Sequence, residues 1–166
     1  MARRKPRLLF EPTDGGFIIN LRRDERDLVV RLIGELQGLL LANDPLSEPL
    51  LRRLFPPAYH LADDAEADAE YQRLMREELV ASRLAAIEEA GRFLSSDAPL
   101  SDEAMQGLLR ALNAVRLVLG TLLDVGETHN PEDLSDDDPM IGEHHLYQFL
   151  SFVLDSAVEA LSRQPG

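Results

Sequence analysis

Ser101-Asp102-Glu103-Ala104-Met105-Gln106-Gly107-Leu108-Leu109-Arg110-Ala111-Leu112-Asn113-Ala114-Val115-Arg116-Leu117-Val118-Leu119-Gly120 is the stretch whose reading decides the fold. Met105, Leu108, Leu112, Val115, Leu119 and Leu122 alternate steps of three and four residues, the spacing of one helix face. Ser101 stands where an N-cap hydroxyl is needed, and Asp102 and Glu103 sit against the positive end of the helix dipole. From Leu117 to Leu123 the segment is apolar around most of its girth. A helix over 102–124 is therefore predicted, and it should be the central, most buried one.

Its neighbours follow from the same spacing rule. Upstream, Val80, Leu84, Ile87, Gly91 and Leu94 form a stripe on a helix over 65–95, ended by Ser95-Ser96-Asp97-Ala98-Pro99. Val29, Leu32, Ile33, Leu36, Leu39 and Leu40 predict another over 22–42, with Asp27, Arg31 and Glu35 as a charged row opposite. Gly34 and Gly38 on that helix suggest a second helix in close approach. Leu146, Phe149, Leu150, Val153, Leu154, Ala157 and Leu161 predict a final helix over 143–163. Residues 43–64 and 125–142 read as connectors, the first with a short helical turn from Pro49 to Leu54. Two short apolar runs within 7–20 flank Pro12-Thr13-Asp14-Gly15-Gly16 and predict a β-hairpin, Asp14-Gly15 supplying the positive φ angles. The expected fold is mainly α: one domain over 1–166, a bundle of about four long helices with an N-terminal β-hairpin.

Composition supports helix over sheet: 31 Leu and 17 Ala stand against 16 Val, Ile and Thr together. The 166 residues carry 17 Lys plus Arg and 30 Asp plus Glu, a net charge of −13, and no cysteine. Zero cysteines exclude disulfides, zinc ribbons and thiolate catalysis. The acidic balance argues against direct nucleic-acid binding, which needs clustered cations. Charge is uneven, +3 over residues 1–31 and −16 over the rest. The basic start is followed only by Leu8-Leu9-Phe10, too short for a secretory segment, and no run suits a membrane span. The expected location is the cytoplasm.

Catalytic signatures do not emerge. Asp136-Asp137-Asp138 lacks the alternating spacing of a calcium loop. His144 and His145 are adjacent, so on a helix they diverge by about 100° and do not face one metal. There is no G-x-S-x-G elbow and no glycine-rich phosphate loop. Neither metal nor cofactor is expected, and the chain is read as a non-enzyme. Arg116 is the most informative polar residue, because it interrupts an apolar turn and a guanidinium there needs a partner. Asn113 lies three residues before it, and Glu77 or Glu78 is the expected carboxylate. It reads either as a structural ion pair or as a partner-binding arginine.

Four landmarks in order add a resemblance: Leu51-Arg52-Arg53-Leu54-Phe55-Pro56-Pro57-Ala58-Tyr59, Glu70-Tyr71-Gln72-Arg73-Leu74, Asn113-x-x-Arg116-Leu117-x-Leu119-Gly120 and Leu146-Tyr147-Gln148-Phe149-Leu150. Together they resemble an actinobacterial domain-of-unknown-function family named for the oxidative stress regulator AosR. The resemblance implies a cytosolic regulator that binds a protein partner, a sigma factor in oxidative-stress transcription, without direct nucleic-acid or membrane contact. Arg52, Arg53, Tyr59, Asn113, Arg116, Tyr147 and Gln148 are the candidates for partner-binding or structural roles, and Asp133, Asp136, Asp137 and Asp138 for an acidic docking surface. With no thiol, oxidant sensing falls to Met75, Met105 or Met140, or to the partner. The alternative reading is a structural or adaptor bundle of unassigned role, acting as a homodimer through an exposed helix stripe.

Overall fold

The computed structural model describes residues 8–42, 48–51, 54, 65–123 and 136–163. The elements run β1 (Phe10–Thr13), β2 (Gly16–Ile19), α1 (Arg23–Ala42), α2 (Glu48–Leu51), α3 (Ala65–Leu94), α4 (Asp102–Leu122) and α5 (Ile141–Ser162). The fold is the mainly helical bundle with an N-terminal hairpin that the spacing predicts. Connector residues 43–47, 52–53, 55–64 and 124–135 lie outside the described residues. No described helix is long and apolar enough to cross a membrane.

Helix α4 is the axis of the packing. It touches α1, α2, α3, α5 and β2. Ser101 caps it, its hydroxyl accepting from the Ala104 amide at 3.1 Å. Burial is deepest in its first two-thirds, where Met105, Leu108, Ala111, Leu112, Ala114 and Val115 are enclosed. The fully apolar end at 117–119 is only half-buried, and Leu122 is exposed. A stripe buries a helix more completely than girth does, because side chains must meet partners and only one or two faces have them.

The other helices contribute one face each. Val29, Leu32, Ile33, Leu36 and Leu40 of α1 join Ile87, Ala90 and Leu94 of α3 and Leu150, Val153, Leu154 and Ala157 of α5 in one core. Gly34 and Gly38, expected to admit a neighbouring helix, instead face solvent, with no atom within 4 Å of an added Cβ. They lie roughly opposite the buried stripe of α1 and serve no helix contact among the described residues. The first half of α3 carries Tyr71 and Leu74 in exposed positions.

The hairpin is fixed to the bundle through its backbone. β1 and β2 pair antiparallel, with Phe10 opposite Ile19 and Pro12 opposite Phe17. Phe17 then forms a second antiparallel pair with Leu100, in the α3–α4 connection. The Phe17 amide donates to the Leu100 carbonyl at 2.7 Å, and the Leu100 amide donates back at 2.8 Å. Because Phe17 spends its polar groups on Leu100, Pro12 opposite it owes the ladder no N–H. Phe10 and Phe17 point into the core and are buried.

One guanidinium locks the same corner. Arg26 of α1 donates from Nη1 to the carbonyls of Leu94 (2.9 Å) and Ser96 (3.3 Å), and from Nη2 to Ile19 (3.2 Å). Leu94 ends α3, so Arg26 supplies a donor and a positive charge to the orphan carbonyls of that helix terminus. Asp97, fully exposed, lies 3.7 Å away.

The close approach of β2 to Leu100 sets a strict demand at Gly16. Its φ is +128°, so among the turn glycines the positive φ falls there and not on Gly15 as the turn reading predicts. A Cβ at Gly16 would come within 2.1 Å of the Leu100 carbonyl oxygen. Gly16→Ala is expected to destabilise the protein by about 2 kcal/mol or more, measured by urea unfolding. An unchanged midpoint would mean the hairpin does not depend on the Leu100 contact.

Candidate functional site

Of the sequence-predicted residues, the structure brings together Asn113 and Arg116. Arg116 Nη2 donates to Asn113 Oδ1 at 3.0 Å, one turn apart on α4, and both side chains are half-buried. Glu77 and Glu78 are exposed, and no described carboxylate pairs with Arg116. The expected ion pair is replaced by a short-range bond to a neutral amide. A half-buried guanidinium keeps enough water contact to do without a counter-ion. Tyr147 and Gln148 are half-buried on α5, with no described hydrogen bond to Asn113 or Arg116. Arg52, Arg53, Tyr59 and Asp133 lie outside the described residues.

The acidic run separates into two roles. Asp136 and Asp137 are exposed. Asp138 is turned toward the chain: its Oδ1 accepts from the Met140 amide at 2.8 Å, and its carbonyl accepts from Ile141 at 3.1 Å. It therefore shapes the entry to α5, where a carboxylate also opposes the helix dipole. His144 is buried and His145 exposed, as adjacent helical positions require. Among the described residues no three metal-ligating side chains converge. Met105 is fully buried, whereas Met75 and Met140 are half-buried, so oxidant reaches those two more readily.

Two concave features escaped the sequence reading. The first lies between β1 and α5, a groove of ≈ 220 Å³ whose walls include Leu8, Pro12, Phe152, Ser156 and Arg163. Phe152 is 59% exposed and Leu8 47% exposed at this groove. Glu159 and Arg163 pair along its α5 side. The signal was in the sequence: Phe152 falls off the 146/149/150/153/154/157/161 stripe, so α5 cannot bury it against the same neighbours.

The second lies between α3 and α4, a cavity of ≈ 190 Å³ lined by Leu79, Ser82, Ala86 and Ile87 with Arg83 and Arg110. Arg83 Nε is buried and has no hydrogen-bond partner. Burial pushes the Arg83 pKa below the usual arginine value, though the group stays cationic at neutral pH. Neither arginine has an acid three or four residues away, which was also legible in a chain with 30 acids.

These features define a helical bundle with a surface groove between β1 and α5 and a second recess between α3 and α4. Residues 3–161 match a domain of unknown function, DUF2017, and the chain belongs to that family. No curated protein and no solved structure matches it.

The two arginines with contrasting partners yield a stability comparison. Arg26→Met removes three bonds to carbonyls at a crowded corner and is expected to cost about 2 to 3 kcal/mol. Arg116→Met removes one bond to a neutral amide and should cost less than about 1 kcal/mol. Thermal and urea unfolding of both variants checks the order; a larger loss at Arg116 would contradict the assignment of the structural arginine to Arg26.

Proposed function

We propose that this chain is a non-enzymatic regulatory protein that acts by binding a protein partner through the β1–α5 groove. The observation that carries the reading is Phe152, an aromatic side chain left 59% exposed beside an apolar groove. Aromatic residues at such positions are favoured interface anchors, and a contiguous apolar patch on a monomer marks a binding surface more often than chance placement. The surrounding charge selects the partner. At the groove Glu159 is paired with Arg163, and the rest of α5 adds Glu143 and Asp155, on a chain of net charge −13. A partner offering a basic segment with an apolar anchor would be steered to this face and fit it.

The resemblance to the family named for AosR makes a sigma factor of oxidative-stress transcription the specific partner, in an actinobacterial cytoplasm. Sigma factors engage DNA through basic surfaces, which suits an acidic ligand. In a chain without cysteine the oxidant signal reaches half-buried Met75 or Met140, or enters through the partner.

Titration calorimetry against purified sigma factors, at low and high salt, tests this. A stoichiometric complex that weakens with salt is expected. Phe152→Ala should weaken it by about 2 kcal/mol, roughly thirtyfold, with no loss of thermal stability. Sedimentation equilibrium showing two-chain association that Phe152→Ala abolishes, with no sigma complex, would favour the homodimer alternative instead.

A further inference from the structure

We infer that the α3–α4 cavity is a binding site for a small carboxylate with an apolar body, one aromatic ring or a short branched chain in size. Three observations converge on this ligand class. Arg83 and Arg110 both line the cavity, and no described carboxylate pairs with either. Arg83 is half-buried at this recess and Arg110 is exposed beside it. An anion held in the recess is attracted by both cations.

The second observation is the orphan donor. Arg83 Nε is shut off from solvent with nothing to donate to. Buried N–H groups are almost always satisfied, and a guanidinium presents its donors in a fork that matches a carboxylate. A carboxylate oxygen in the recess meets Nε once the Arg83 side chain turns toward it, and it then answers the unmet bond. A phosphate meets the same fork, but the cavity wall favours the less hydrated carboxylate.

The wall is the third observation. Leu79, Ala86, Ile87, Ala111 and Ala114 give the cavity an apolar lining, with the Ser82 hydroxyl beside Arg83 as an added polar contact. The small side chains of Ala86, Ala111 and Ala114 leave room where larger ones would close α3 onto α4. Its volume of ≈ 190 Å³ suits a single ring, since a cavity of about 150 Å³ accommodates benzene. The site lies on different helices from the β1–α5 groove, and it stands whether or not that groove binds a protein.

Amide chemical-shift titration of the whole protein tests the assignment. The probes are benzoate, phenylacetate and isovalerate, each beside its neutral amide, with acetate as the acid lacking an apolar body. The expected result is saturable shifts confined to Leu79–Ile87 and Gly107–Ala114 for at least one acid. That acid should bind at least about tenfold tighter than its amide and than acetate. Arg110→Gln and Arg83→Met should each remove the preference. Arg83→Met should do so with an unchanged or raised melting temperature, because it gives up no bond. No acid preferred over its amide, acetate binding as tightly as the others, or a preference that survives both variants would overturn the proposal.

Discussion

The exchange of two hydrogen bonds between Phe17 and Leu100 is the constraint on which the rest of the structure hangs. A two-stranded hairpin is marginal in water, and here it becomes part of the fold by pairing with the connection between α3 and α4. That pairing demands a glycine at position 16 and places Phe10 and Phe17 in the core. Arg26 binds the same corner from α1, by bonding carbonyls at the end of β2 and the end of α3. Backbone pairing, aromatic burial and one guanidinium thus act on a single joint. The groove beside α5 exists because β1 is held there: the hairpin supplies one wall and Phe152 stands on the other.

Much of the fold was legible because helix faces announce themselves. The α4 stripe, the Ser101 cap and the buried face of α1 all follow from spacing and local chemistry. What spacing does not carry is which faces find partners. Gly34 and Gly38 matched a helix-contact pattern yet meet solvent, because no described element lies on that side of α1. Helix α4 is the central helix that its girth predicts, yet its apolar residues 117–119 are half-buried. Arg26 escaped notice because its three acceptors are backbone carbonyls, one 68 residues away, and carbonyls have no sequence signature.

The candidate site was less readable than the fold. Asn113 and Arg116 are joined as their spacing suggests, and Asp138 proves to be a shaping residue at the start of α5. Adjacent aspartates look alike in sequence, but the local backbone turns one inward and leaves two outside. The two cavities are products of tertiary packing, so their existence could not be read along the chain. Their chemistry could: Phe152 was off the core stripe of its helix, and Arg83 and Arg110 had no acids at helical spacing. Acidity here is not uniform. A chain of net charge −13 places two of its cations, half-buried Arg83 and exposed Arg110, at one recess with an apolar lining.

The central claim is that the hairpin is an integral part of the core, so that the β1–α5 groove is preformed. Native-state hydrogen exchange at the Phe17 and Leu100 amides tests this most directly. The account predicts that both open with the same free energy as the slowest amides of α4 and α5, around Leu112 and Leu150. Opening of Phe17 and Leu100 at much lower free energy, while the helices stay protected, would contradict it: the hairpin would then be a detachable flap.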